Sequence, residues 1–138
     1  MNQLSQFINN HWSLCLTFVA LLICVIINEL LSQKKKAKEI SPQKTIDLIN
    51  NDLAVIIDLR DKETFKKGHI INAINMTADD INDSKLSQYK NKSLVLVCNR
   101  GQSAPAVASK IKTLGLNPLV LSGGMMAWHN ASLPVVKK

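Results

Sequence analysis

A chain of 138 residues has room for one ordinary domain and a short appendage. Three scattered cysteines (Cys15, Cys24, Cys98) and three histidines show neither the spacing of a disulfide framework nor that of a metal site. The net charge of +7 comes with 4% aromatic residues and no basic stripe interleaved with them, which argues against a nucleic-acid partner.

From Trp12 to Ile27 the chain carries no charge, and "NELL" extends the run to Leu31. That is close to the ~20 residues a helix needs to cross the hydrocarbon core. Trp12 suits one interface, and Asn28 with Glu29 falls near the other. Lys34, Lys35, Lys36 and Lys38 follow at once, whereas the stretch before Trp12 has no Lys or Arg. The positive-inside rule then predicts a single-pass anchor (residues 1–33) in the cell inner membrane, a basic linker (34–39) and a cytoplasmic domain (40–138). A cleaved signal peptide would call for a basic start, a shorter apolar core and small residues at a cleavage site, none of which is clear here. Cys15 and Cys24 read as lipid-facing or helix-packing residues, and Cys98 as a free thiol in a reducing compartment.

Residues 40–138 carry 13 Lys/Arg against 8 Asp/Glu. Ser41-Pro42 starts a helix, serine as N-cap and proline in the first turn, with Ile46, Leu48 and Ile49 as its apolar face. "LAVIID" reads as a buried strand that ends at Asp58, and "KETFKKG" as a short helix closed by Gly68. "HIINAIN" is strand-like as far as Asn75, and "TADDIND" begins a helix capped by Thr77. "SLVLVC" is a second apolar strand and "SAPAVASKIKTLG" an amphipathic helix. "NPLVLSGG" gives another strand with a glycine turn, and "MMAWHNA" a last short helix. This alternation predicts an α/β domain with a mostly parallel sheet flanked by helices. Functional groups of such folds collect at the carboxyl ends of the strands. Asp58-Leu59-Arg60, Cys98 and Ser122-Gly123-Gly124 all fall there.

The most informative stretch is Cys98-Asn99-Arg100-Gly101-Gln102-Ser103, between a strand end and a helix start. Unpaired N–H groups at that helix start favour negative charge. Gly101 permits the tight curl, Pro105 is tolerated in the first turn, and Arg100 adds a positive charge. Such surroundings lower a thiol pKa from ~8.5 towards thiolate at neutral pH. The plain alternative is a small buried cysteine at a strand end beside a solvated arginine.

With these motifs, residues 40–138 resemble a single-domain rhodanese, a sulfurtransferase fold. "DLRDKETFKKGHIINAIN" is similar to the family's D-x-R, E-x-F and G-H-I-x-x-A-x-N block. "VLVCNRGQSA" resembles the strand and six-residue active loop that opens with the catalytic cysteine. "SKIKTLGL" resembles the following helix, and "LSGGMMAW" the G-G-x-x-x-W signature. The resemblance implies a persulfide mechanism with Cys98 as nucleophile and Asn99, Arg100, Gly101, Gln102 and Ser103 as the substrate-binding cradle. It implies supporting roles for Asp58 and Arg60, a structural turn at Gly68-His69, and core or lid packing for Met125 and Trp128. No metal and no organic cofactor is implied. The implied partners are a small sulfur donor and a thiol or cyanide acceptor, with room for a membrane-protein or sulfur-carrier partner. Where many members close the loop with Arg or Lys, Ser103 stands here, which leaves the donor open among thiosulfate, a mercapto acid and a protein persulfide.

Two rivals are weighed against this. A cysteine phosphatase needs an arginine six positions after the cysteine, where Ala104 stands. A non-enzymatic, membrane-tethered binding or scaffold module on the same fold is the second, since a fold can host other functions.

Overall fold

The computed structural model describes residues 2–137, and its contacts divide the chain into two compact units, with the boundary between Lys35 and Lys36. The first unit holds helices α1 (Asn2–Asn10) and α2 (Trp12–Lys35). Within α2, Trp12–Ser32 has a mean hydropathy of 2.6 and none of it is buried, so this helix is long and apolar enough to cross a membrane. Cys24 is exposed on it and Cys15 partly so.

The second unit is a five-stranded, all-parallel sheet with strand order β1-β5-β4-β2-β3. Its elements in chain order are β1 (Lys38–Ile40), α3 (Pro42–Asn50), β2 (Ala54–Asp58), α4 (Lys62–Lys67), β3 (Ile74–Asn75), α5 (Asp83–Leu86), β4 (Ser93–Val97), α6 (Ala104–Thr113), β5 (Pro118–Leu121) and α7 (Gly124–Asn130). Neighbouring residues in β2 and β4 point to opposite faces, and both faces are buried, which is why these strands read as unbroken apolar runs. Ile57, Leu94, Leu96 and Val120 pack with Ala104, Val107, Ala108 and Ile111 of α6. Ile56, Val95, Val97 and Leu121 pack with Met125 and Trp128 of α7, and Ile46 and Ile49 of α3 lie against them.

Three expectations change. β1 was not foreseen: it pairs only with β5, and "KEI" has two exposed residues and one buried, too little pattern to read. "HIINAIN" is not one strand, since β3 keeps only Ile74–Asn75, and His69 instead forms an antiparallel bridge with Val136. The "TADDIND" helix breaks into a 3₁₀ turn (Ala78–Asp80) and α5, because Asn82 caps a fresh start through its bond from the Lys85 N–H at 3.0 Å. Thr77 does begin the turn, and its N–H and hydroxyl both donate to the Asp80 carboxylate, at 3.2 and 2.7 Å.

Candidate active site

The strand order locates a crevice before any side chain is considered. After β2 the chain moves outward to β3, and after β4 it moves the other way to β5. The two connections part above the carboxyl ends of β2 and β4, the switch point where parallel sheets leave room for a ligand. Asp58 leaves β2 there and Cys98 leaves β4, with Asp58 and Val97 in register and the Leu59 N–H donating to the Val97 carbonyl at 2.8 Å.

Cys98 is 4% exposed, at the floor of a shallow hollow of about 230 Å³ lined by Cys98, Asn99, Arg100, Gln102 and Ser103. A larger hollow of about 380 Å³ lies between α4 and β3, but its walls, Lys62 and Phe65 among them, hold no nucleophilic thiol. Gly101 turns the loop with φ +79°, and α6 begins at Ala104 with Pro105 in its first turn. Ser103 is the N-cap of α6, yet its hydroxyl makes no capping bond. It goes to the cysteine sulfur instead. Burial pushes the Cys98 thiol up, but the Ser103 hydroxyl and the N–H groups of Ala104, Ser103 and Gly101 outweigh burial and hold it below its ordinary value. Each of these donors favours the charged form of sulfur. The result is a buried sulfur ringed by donors, with the exposed Arg100 lining the same hollow.

The loop is also held from outside, by a contact that no local motif announced. At the start of α7 the Met125 N–H donates to the Cys98 carbonyl at 2.9 Å, and the Met126 N–H donates to the Asn99 carbonyl at 3.0 Å. Gly124 makes this approach feasible: a Cβ there would overlap the Cys98 carbonyl oxygen and stand 2.8 Å from the Gly101 nitrogen. The two loop carbonyls are thereby turned towards α7, so the loop N–H groups can face the sulfur.

Asp58 and Arg60 lie beside this loop rather than in the hollow. Arg60 grips the Asp58 carboxylate with Nη2 at 2.7 Å and Nε at 3.0 Å, and its Nη2 also donates to the Gly68 carbonyl at 2.7 Å. Asn75 Nδ2 bonds the carbonyls of Asp58 and Arg60 at 3.1 and 2.8 Å. The pair thus binds the exit of β2 to the end of α4 and to β3. His69 is buried, stacked on Phe65 with ring centroids 3.8 Å apart, and its Nδ1 lies 2.8 Å from the Phe65 carbonyl. Met125 and Trp128 are core residues, the Trp128 indole N–H donating to the Pro134 carbonyl at 3.0 Å.

Cys98 through Ser103 therefore share one hollow or its loop, and Asp58 and Arg60 form a support next to it. The sequence reading missed the α7 amides as holders of the loop; the Gly-Gly pair at the end of β5 was the available signal. Among the described residues no group of three His, Cys, Asp or Glu stands close enough to hold a metal ion.

Comparisons with known proteins agree with this geometry. Residues 41–131 match the model of the Rhodanese-like domain. The uncharacterized protein YibN of Escherichia coli K12 is 31% identical over 141 residues, covering 99% of this chain and 99% of that protein. Thiosulfate sulfurtransferase GlpE of Pseudoalteromonas translucida is 27% identical over 95 residues, which is 68% of this chain and 90% of GlpE. Among solved structures, a rhodanese-related protein of Thermoplasma volcanium shares the fold with a TM-score of 0.66 at 23% identity, covering 73% of this chain and 99% of that one. The family model spans more than half of the chain, and the chain belongs to the rhodanese-like family.

Proposed function

We propose that the domain is a sulfurtransferase that moves sulfane sulfur from a donor such as thiosulfate to a thiol or cyanide acceptor through a Cys98 persulfide. The observation that carries this reading is the set of donors around the sulfur: the Ser103 hydroxyl and the N–H groups of Gly101, Ser103 and Ala104. The thiolate they favour attacks the outer sulfur of thiosulfate. The S–S bond of the donor breaks and sulfite leaves with the electron pair, so that Cys98 holds a persulfide anion. An acceptor thiolate then attacks the outer sulfur, and the Cys98 thiolate is released. The same donors suit the negative terminal sulfur, preorganised as in other anion holes. Arg100, exposed at the rim, supplies attraction for an anionic donor.

The reading extends to location. The apolar helix Trp12–Ser32, with the lysine run after it, supports a single-pass anchor in the inner membrane with the domain in the cytoplasm. A reporter fused to the C-terminus and active only outside the cytoplasm should stay silent. For the chemistry, the full chain in detergent is incubated with thiosulfate and weighed intact. The wild type should gain the mass of one sulfur atom and Cys98→Ser should gain none. No gain with thiosulfate, a mercapto acid or a protein persulfide would end the reading.

A further inference from the structure

The amino ends of the strands form a surface that the sulfur chemistry does not use. Leu53 immediately precedes β2 and Ile71 lies three residues before β3, and these large apolar side chains are 56% and 53% exposed. β2 and β3 are neighbours, so the two residues crown adjacent strands. The apolar surface continues from Ile71 into a groove of about 300 Å³ formed with Ile46, Ile49, Trp128 and Val136. Cations share this end of the sheet: Lys90 before β4, next to β2, and Lys36 and Lys38 at β1, the opposite edge strand, are all exposed. Lys92 adds less, because its ammonium already holds Asp52 at 2.6 Å. Apolar tips and exposed lysines on one end of a sheet are the composition of a surface that lies on anionic lipid.

Chain connectivity selects the bilayer over a protein as occupant. Only residues 33–37 separate the candidate span from β1. A chain anchored by that span starts its sheet within about 20 Å of the headgroups, the reach of so short a segment. We propose that the amino end of the sheet is a docking surface for an anionic bilayer. Leu53 and Ile71 enter the headgroup boundary while Lys36, Lys38 and Lys90 meet lipid phosphates. The proposal rests on the anchor reading and is independent of whether Cys98 transfers sulfur. It turns the carboxyl ends of the strands, with Cys98, towards the aqueous side.

The test uses the full chain in nanodiscs of mixed zwitterionic and anionic phospholipid that carry a headgroup spin label, read by amide NMR. Amides of residues 52–54, 70–72 and 89–91 should lose most of their intensity, and those of 99–102 and 123–126 should keep theirs. The double variant Leu53→Asp, Ile71→Asp should recover the lost intensity while Cys98 alkylates at the wild-type rate, a sign that the fold is intact. Equal loss at both ends, loss confined to the carboxyl end, or no loss in a chain that co-elutes with the discs would overturn the docking. A chain that leaves the discs during size exclusion defeats the anchor itself, and the docking falls with it.

Discussion

The two ends of the sheet share one backbone ladder and differ in what closes them. At the carboxyl end, α6 and α7 present their first N–H groups, and both sets converge on the segment from Cys98 to Ala104. At the amino end α6 presents its last carbonyls, and Lys110 and Lys112 stand in its last turn. Each end also has an ion pair of nearly equal length, Arg60–Asp58 at 2.7 Å and Lys92–Asp52 at 2.6 Å. The first is 8% and 1% exposed, whereas the Asp52 side chain of the second is 85% exposed. Equal distances in unequal solvent teach that geometry alone does not set the worth of a contact; water access does.

The largest expected effect breaks the buried pair. Arg60→Leu leaves the Asp58 carboxylate enclosed without its cation and frees the Gly68 carbonyl. Removing one partner of a buried pair costs ~3–5 kcal/mol, so the urea midpoint should fall steeply, as followed by circular dichroism. A change under ~1 kcal/mol would mean that water reaches the carboxyl end as freely as the amino end.

Gly124→Ala comes next. Gly124 has φ +58°, and an added methyl would strike the backbone at Cys98 and Gly101. Left-handed strain of ~1–2 kcal/mol adds to overpacking of ~1–3 kcal/mol, together on the order of 3 kcal/mol. Because the loop must move, the alkylation rate of Cys98 should fall together with stability. A stable variant with wild-type reactivity would show that α7 does not hold the loop.

Ser103→Ala tests the sulfur itself. The hydroxyl stabilises the charged form, so its loss raises the pKa of Cys98 and leaves less thiolate at neutral pH. A hydrogen bond to a charged group stabilises it more than one to a neutral group, hence the midpoint of iodoacetamide reactivity against pH should move up. The wild-type profile should rise and level off at a lower pH than that of an unperturbed thiol. A midpoint unmoved by the substitution would assign the depressed pKa to the backbone amides alone.

How far these contrasts could be read from sequence depends on their range along the chain. The runs of β2 and β4 declare themselves because both faces of each strand are buried, and Cys98 stands out because a strand exit, a glycine and a helix start fall within a few residues. β1 is silent, since three residues with one buried side chain carry no period and depend on β5 some 80 positions away for pairing. β3 was overread because Ile70 and Ile71 look like strand, yet Ile70 is buried in the core and Ile71 faces solvent with no ladder to join. The α7 amides on the loop, and the reach of Arg60 to Gly68, join segments by tertiary contact. Local pattern holds no record of such contacts. The Gly-Gly pair hinted at a close approach without naming what approaches.

The smallest effect belongs to the amino end. Lys92→Ala removes the partner of Asp52, but an exposed carboxylate regains in water most of what it loses. The expected destabilisation is ~0–1 kcal/mol, near the error of a urea titration. Salt makes the contrast sharper than the magnitude does. In ~1 M salt the screening length is ~3 Å, so whatever Lys92 contributes should shrink, while the loss caused by Arg60→Leu should persist because ions cannot enter around Asp58. If both losses vanished in salt, the carboxyl end would be as open as the amino end. If both persisted, Asp52 would be shielded by structure despite its exposure, and the two ends of the sheet would be alike in how they exclude water.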